Sequence, residues 1–397
     1  MSAENIDHSA ECWCHYLPHL IAVSPGQKAA AAELSGGREL ENGEACQILD
    51  GLDHRSVGRI IESVGIIRVD NPDPHETVAA LNSKEIEASP IHGVGYLGHG
   101  GFQGDYWAEA PDQRIPDPGE AQRSTIAVID SGIAVDEDLP EWMDDPNVVC
   151  DRPIDTDTPW VKYPVSHGTF VTSLIRRIAP DYNVSIASAR PDPGYLTTND
   201  PDHAAAPPPT DELNVLGAVM RLLDRLGEKD SDVRALNMSL GVHACPADKS
   251  ESFVALRTAC DLWNERFGEQ APIFAAAGND TCKAPLYPAA FSRNTKLIRS
   301  VAAARQGARE GEIKVWDRGT EVNAPTRDWV TDAGPGCDVL GLSGQSETHV
   351  VEWSGSSHAT AVVTACYVAG SRPEIDLSIA WWPDRAVSYD LVPNLRP

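Results

Sequence analysis

Four residues have side chains able to act together on an amide or ester bond: Asp130, His167, Asn279 and Ser357. A serine hydroxyl is a weak nucleophile until a neighbouring base takes its proton. An imidazole titrates near neutrality and is the natural base. A carboxylate can hold that imidazole in one tautomer, and an asparagine amide can donate a hydrogen bond to a developing oxyanion without bringing charge. Each residue alone has an ordinary structural use. Asp130 stands before Ser131-Gly132, which is also turn chemistry, and His167 opens an apolar helical stripe. Asn279 follows Gly278, and Ser357 stands where a helix cap would.

The elements around them are arranged to gather them. Ile126-Ala127-Val128-Ile129 is a continuous apolar run that predicts a strand buried on both faces, ending at Asp130. Val171, Leu174, Ile175 and Ile178 form a helical stripe directly after His167. Leu216, Val219, Met220 and Leu223 form a second, with Thr210 as its expected N-cap and Gly227 as its stop. Leu256, Ala259, Cys260 and Trp263 form a third, closed by Gly268. Short apolar strands are expected at Val184 to Ala189, Ala235 to Leu240 and Ile273 to Ala277. This alternation predicts a parallel sheet with helices on both faces. In such sheets, sites form at the carboxyl ends of the strands. The run from Ala359 to Ala369 is apolar nearly all round, which predicts a buried helix ended by Gly370. Ser357 lies at its start, where small residues admit a substrate backbone and free N–H groups face an oxyanion.

Ahead of this region, residues 1–97 read as a small α+β unit. His19 to Val23, Ile66 to Val69 and Ile91 to Leu97 predict strands. Ala29 to Leu34, His54 to Val64 and Pro74 to Leu81 predict helices. Two strand–helix halves of this kind predict an open-faced, ferredoxin-like sandwich. The glycine-rich stretch Gly98 to Gly104 and the prolines Pro111, Pro116 and Pro118 read as a linker over 98–122. The catalytic-type region then occupies 123–397. Pro191 to Pro209 holds six prolines and reads as a long loop.

The order Asp, His, Asn, Ser, each at the end of a core element, is specific. Ile129-Asp130-Ser131-Gly132, His167-Gly168-Thr169-Phe170-Val171, Asn237-Met238-Ser239-Leu240-Gly241, Ala276-Ala277-Gly278-Asn279 and Gly355-Ser356-Ser357-His358-Ala359 resemble the signature blocks of the subtilases. Tyr287-Pro288-Ala289 resembles the segment that follows the oxyanion asparagine there. The resemblance covers about residues 122–385 and implies a subtilisin-like three-layer α/β fold and a serine endopeptidase. It assigns Ser357 as nucleophile, His167 as base, Asp130 as its orienting carboxylate and Asn279 as oxyanion donor. It implies that Ser239, Leu240 and Gly241 pair with the substrate backbone, and that with Ala276, Ala277 and Gly278 they line the specificity pocket. The N-terminal unit is similar in outline to subtilase propeptides, which implies a zymogen with self-cleavage between Leu97 and Arg123. The chain departs from the family pattern at His358, where Met or Phe is usual, and at Ser356, where Thr is common. Phe170 replaces a frequent second His.

Charge and composition set the remaining expectations. The 397 residues carry 59 acidic against 32 basic side chains, a net charge of −27. This argues against a nucleic-acid or anionic-membrane partner. The expected partners are a protein or peptide substrate and the chain's own N-terminal unit. Met1 to His8 has no signal-peptide character, and no 18-residue apolar run exists, so a cytoplasmic protein is expected. Nine irregularly spaced cysteines read as free thiols. No cofactor or metal site is implied by a motif. Cys12, Cys14, His15 and His19 are a small cluster without a second half at zinc-site spacing. Structural calcium is common in subtilases, but Asp144, Asp145, Asp151, Asp155 and Asp157 read as a solvated acidic loop. Two other functions stay open: a transpeptidase using the same triad, and a non-catalytic scaffold that binds peptides as an added strand.

Overall fold

The computed structural model describes residues 16–48, 54–96, 124–135, 147–152, 154–155, 162–190, 210–227, 232–244, 252–279, 285–306, 313–317, 320–322, 329–337, 339–342 and 350–370. The expected linker, the proline-rich loop, Cys12, Cys14, His15, Asp144, Asp145 and Asp157 lie outside them.

The N-terminal unit runs β1 (Tyr16–Val23), α1 (Lys28–Ser35), β2 (Arg38–Glu39), α2 (Asn42–Ile48), α3 (His54–Ser63), β3 (Gly65–Arg68), α4 (His75–Asn82) and β4 (Ala88–Tyr96). Its antiparallel sheet has the order β4-β1-β3-β2, the ferredoxin-like order expected. Strand alternation divides its apolar residues between two faces. Ile21, Val23 and Ile67 pack with Ala31 of α1 and with Val78 and Leu81 of α4. Leu20, Ala22 and Ile66 face the other way, into the core of the main region. The sequence reading missed α2 and the two-residue β2, which carry little apolar periodicity. His19 ends up in β1 with Nδ1 3.2 Å from the Val69 carbonyl.

The main region continues with β5 (Ser124–Asp130), β6 (Ala134–Val135), β7 (Val148–Cys150), β8 (Ile154–Asp155), α5 (Lys162–Ile178), β9 (Asn183–Ser188), β10 (Thr210–Asp211), α6 (Glu212–Gly227), β11 (Asp232–Met238), β12 (Leu240–His243), α7 (Val254–Phe267), β13 (Ile273–Ala276), β14 (Leu286–Tyr287), β15 (Ile298–Gln306), β16 (Ile313–Asp317), β17 (Thr320–Val322), β18 (Asp332–Pro335), β19 (Val339–Leu342), β20 (Val350–Trp353) and α8 (Ser356–Ala369). Seven strands, in the order β7-β9-β5-β11-β13-β15-β18, are parallel. The antiparallel strands β16 and β17 extend the sheet beyond β15. The expected three-layer α/β architecture is the one observed. Ala127 and Ile129 of β5 face α6 and α7, whereas Ile126 and Val128 face α5 and α8. That is why this strand reads as an unbroken apolar run. Helix α8 is buried between the sheet and α5, as its all-round apolar sequence requires.

Two local expectations are corrected. Thr210 does not cap α6, because its hydroxyl is spent on the Ala189 carbonyl. Asp211 is the cap: its Oδ1 accepts the Asn214 N–H at 2.9 Å. Ser357 is not a cap either. Helix α8 starts one residue earlier, after Gly355, and no side chain caps it.

The N-terminal unit contacts the main region through β4. This strand runs antiparallel between β10 and β12, pairing Val94 with Thr210 and Gly93 with Asp211 on one side. On the other it pairs Tyr96 with Leu240 and Gly95 with Gly241. Val57 and Ile60 of α3, and Val64 directly after it, share a buried cluster with Leu216, Val219 and Met220 of α6. Fully buried Glu212 joins the units: its Oε1 accepts the His92 N–H at 3.0 Å and lies 2.8 Å from His92 Nδ1. Its Oε2 accepts the Leu256 N–H at 3.1 Å.

Candidate active site

Sheet register places the candidate residues on one edge. Asp130 ends β5 opposite Ser188, the last residue of β9. Ser239 follows β11, and Ala277, Gly278 and Asn279 follow β13. All stand at the carboxyl ends of parallel strands, where adjacent connections diverge and leave a crevice.

Asp130 Oδ1 lies 2.8 Å from His167 Nδ1 and accepts the Ser131 N–H at 2.7 Å. Both side chains are buried. A carboxylate can only accept, so the imidazole carries its proton on Nδ1, and Nε2 is the basic nitrogen. Gly168 makes this contact possible. A Cβ there would stand 2.1 Å from the Gly132 carbonyl and 3.1 Å from Asp130 Oδ1. Its N–H donates to Ser131 Oγ at 3.0 Å, so the second turn of α5 is stitched to the turn after β5; His167 lies in that turn and does not open the helix, which begins at Lys162. Ser131 is a positioning residue that sequence reading passed over.

Ser357 is held by Ser239. The Ser357 hydroxyl donates to the Ser239 carbonyl at 3.0 Å, and the Ser239 hydroxyl donates to the Ser357 carbonyl at 3.0 Å. The Asn237 amide donates to Ser239 Oγ at 2.9 Å, and Thr364 Oγ1 donates to Asn237 Oδ1 at 3.2 Å. The block Asn237-Met238-Ser239 therefore ties the end of β11 to helix α8. Next to it, Leu240 and Gly241 are paired with β4 through the backbone.

Asn279 meets the same helix start. Its Oδ1 accepts the Ser356 N–H at 2.6 Å, which fixes the orientation of the amide group. Gly278, at φ 105°, turns its N–H onto Ser356 Oγ at 3.1 Å. The segment Ala276-Ala277-Gly278 thus leads from β13 to the first turn of α8. Two groups form in this way: Asp130 with His167, and Ser239 and Asn279 with the first turn of α8, where the Ser357 hydroxyl is turned to the Ser239 carbonyl. His358, the residue after Ser357, brings the second group to within 6.1 Å of the His167 ring.

The wall beside His167 is aromatic. Trp353 stands edge-on to it with ring centres 5.6 Å apart. Trp353 also meets Phe170 at 5.5 Å. His358 lies 6.1 Å from His167, 5.0 Å from Trp353 and 4.4 Å from Phe170. Burial first, and then the neighbouring His167, hold His358 well below the usual histidine range, so it is neutral.

Among the described residues, no three His, Cys, Asp or Glu side chains group as metal ligands. Asp151, from the acidic stretch, accepts from Arg221 at 2.5 Å and from the Ser188 N–H at 2.8 Å. Among the described residues, no helix is long and apolar enough to cross a membrane.

No family model matches the chain, and no curated protein matches it. Among solved structures it is similar to the prenylagaramide maturation protease PagA, at 20% identity over 64% of this chain and 75% of that one, TM-score 0.42. It is similar to an S41 psychrophilic protease at 19% identity over 63% and 77%, TM-score 0.44. It is also similar to a lanthipeptide protease at 16% identity over 62% and 72%, TM-score 0.41. Likeness at this level carries no argument about chemistry, so the function rests on the site itself.

Proposed function

We propose that this chain is a serine endopeptidase of the subtilisin type. The observation that carries the reading is the 2.8 Å contact between Asp130 Oδ1 and His167 Nδ1, beside the helix start that holds Ser357. In this reading His167 Nε2 takes the Ser357 proton as Oγ attacks the scissile carbonyl. The same nitrogen then returns the proton to the leaving amine, and Asp130 balances the imidazolium in between. Asn279 and the Ser357 N–H receive the oxyanion. The substrate is an extended peptide lying between β10 and β12, paired with Leu240 and Gly241. Ala276, Ala277 and Gly278 complete the pocket.

Strand β4 already lies in that place. The N-terminal unit is accordingly read as a propeptide-like domain over 1–97, with linker 98–122 and peptidase region 123–397. Self-cleavage then falls between Leu97 and Arg123.

The test is intact mass of the full chain before and after a serine-reactive phosphonate, with Ser357→Ala as control. One added probe mass, or a cut between residues 97 and 123, absent from the variant, supports the peptidase. If the full chain stays whole and unlabelled, and a folded form lacking residues before about 110 also fails to label, the reading is wrong. Given labelling, a ligated or cyclic product in place of a hydrolysed one would mark a transpeptidase.

A further inference from the structure

His358 follows the proposed nucleophile and is fully buried. Neither of its ring nitrogens makes a hydrogen bond of ordinary geometry. Of the influences on its charge, only the backbone of Trp353 favours the protonated form. The slot is otherwise lined by Phe170 and Trp353, and it would accept a hydrocarbon side chain of similar size. Burying an imidazole whose nitrogens gain no more than a distorted contact with the Trp353 backbone costs free energy that a hydrocarbon would not cost. A buried polar group so poorly satisfied calls for a reason. Its neighbour across the slot is His167, 6.1 Å away between ring centres, the one group on which positive charge is proposed to appear during reaction.

We propose that His358 is a positioning residue for His167, an uncharged dipole whose lone pair stabilises the imidazolium where a hydrocarbon would give nothing. This rests on the reading of His167 as the base. A neutral imidazole can choose the tautomer that turns its lone pair to a nearby cation. The surroundings are dry enough for a dipole at this distance to be felt. Trp353 adds its edge contact from the β20 side. The titratable groups that face the slot among the described residues are His167 from α5 and, bonded to it, Asp130 from β5. Phe170 and Trp353, which complete it, carry no charge.

The experiment uses the full-length Ser357→Ala chain, which cannot cut itself, labelled with ¹⁵N-histidine. The His167 ring signal, assigned by loss in His167→Gln, is titrated by NMR in this chain and in His358→Phe, His358→Met and His358→Gln. A charge–dipole interaction at this separation is worth about 0.3 to 1 pH unit. The His167 midpoint is therefore expected to fall by that amount in the Phe and Met variants. Gln, which restores a dipole, should recover at least half of it. An unchanged midpoint in folded Phe or Met variants would overturn the proposal, because a space-filling role predicts that result. If neither variant folds, the chain with His358 intact decides. A His358 signal that stays in the neutral form throughout the interval in which His167 titrates supports the proposal, and one titrating in step with exposed histidines overturns it. The readout needs no turnover, so its failure is separate from failure of the phosphonate test.

Discussion

Ser239 and Ser357 hold each other twice, each hydroxyl donating to the other's backbone carbonyl at 3.0 Å. The proposed nucleophile is thereby fixed to the residue that leads into β12, the strand paired with β4. A Ser239→Ala change removes two hydrogen bonds, the one donated to the Ser357 carbonyl and the one accepted from the Asn237 amide. It leaves the Asn237 amide and the Ser357 carbonyl without that hydroxyl in a buried place. The expected loss is about 1–3 kcal/mol of stability, measured by chemical unfolding. Phosphonate labelling of Ser357 should slow in parallel. Full stability with unchanged labelling would mean that the exchange positions nothing.

Gly168→Ala tests the close approach of the histidine helix to the turn after β5. The new Cβ would meet the backbone oxygen of Gly132 at 2.1 Å, and backbone cannot rotate out of the way as a side chain can. This turn of α5 must shift, and the contact between His167 and Asp130 goes with it. Labelling of Ser357 is expected to fall at least about tenfold, with stability lower by roughly 1–3 kcal/mol. A variant that labels at the normal rate would show that the 2.8 Å contact tolerates displacement.

Asn279→Asp separates two functions of one side chain. An aspartate oxygen can still accept the Ser356 N–H, so the helix start should keep its place. It cannot donate to an oxyanion, and its charge opposes one. Turnover of a peptide substrate is expected to fall by about 10² to 10³ or more, the usual worth of one such donor. Stability is expected to fall by about 1–3 kcal/mol, because the new carboxylate stands in a buried place. Loss of folding would instead assign Asn279 a structural role.

Two buried groups pull the pH dependence of stability in opposite directions. Burial raises the Asp211 carboxyl to about 6, against its hydrogen bonds from Asn214. The folded chain therefore holds this proton more tightly than the unfolded one. Its contribution is present below about 4 and is lost as pH rises through about 6. Asp211→Asn should flatten that interval while an amide oxygen keeps the cap. His358 is depressed, so its contribution is present above about 6.5 and is lost as pH falls below that value. His358→Met should flatten the acid side. Unfolding curves at pH 4, 6 and 7.5 distinguish the two, and an unchanged slope in either variant would refute that assignment.

Much of the architecture was legible because burial on two sheet faces leaves a one-dimensional trace. Continuous apolar runs gave β5, β9, β11 and β13, and helical stripes gave α5, α6 and α7. The order Asp130, His167, Asn279, Ser357 was equally readable, since each residue adjoins such an apolar run, although α5 begins at Lys162 and holds His167 in its second turn. What sequence could not give was anything decided between elements distant in the chain. Thr210 and Asp211 are both ordinary cap residues, and only the nearby Ala189 carbonyl takes Thr210 out of that role. The need for glycine at 168 comes from a carbonyl at residue 132, with no local sign. His358 reads alone as an oddity after a serine. Its neutrality depends on burial beside Phe170 and Trp353 and on the charge of the neighbouring His167, all from other segments. The sequence by itself determined the long apolar elements and which reactive side chains adjoin them, because local propensity and apolar periodicity act over a few residues; strands β7, β15 and β18 of the same sheet were not read from it. Only the tertiary structure decided which of those side chains touch, because packing brings distant segments within hydrogen-bond reach.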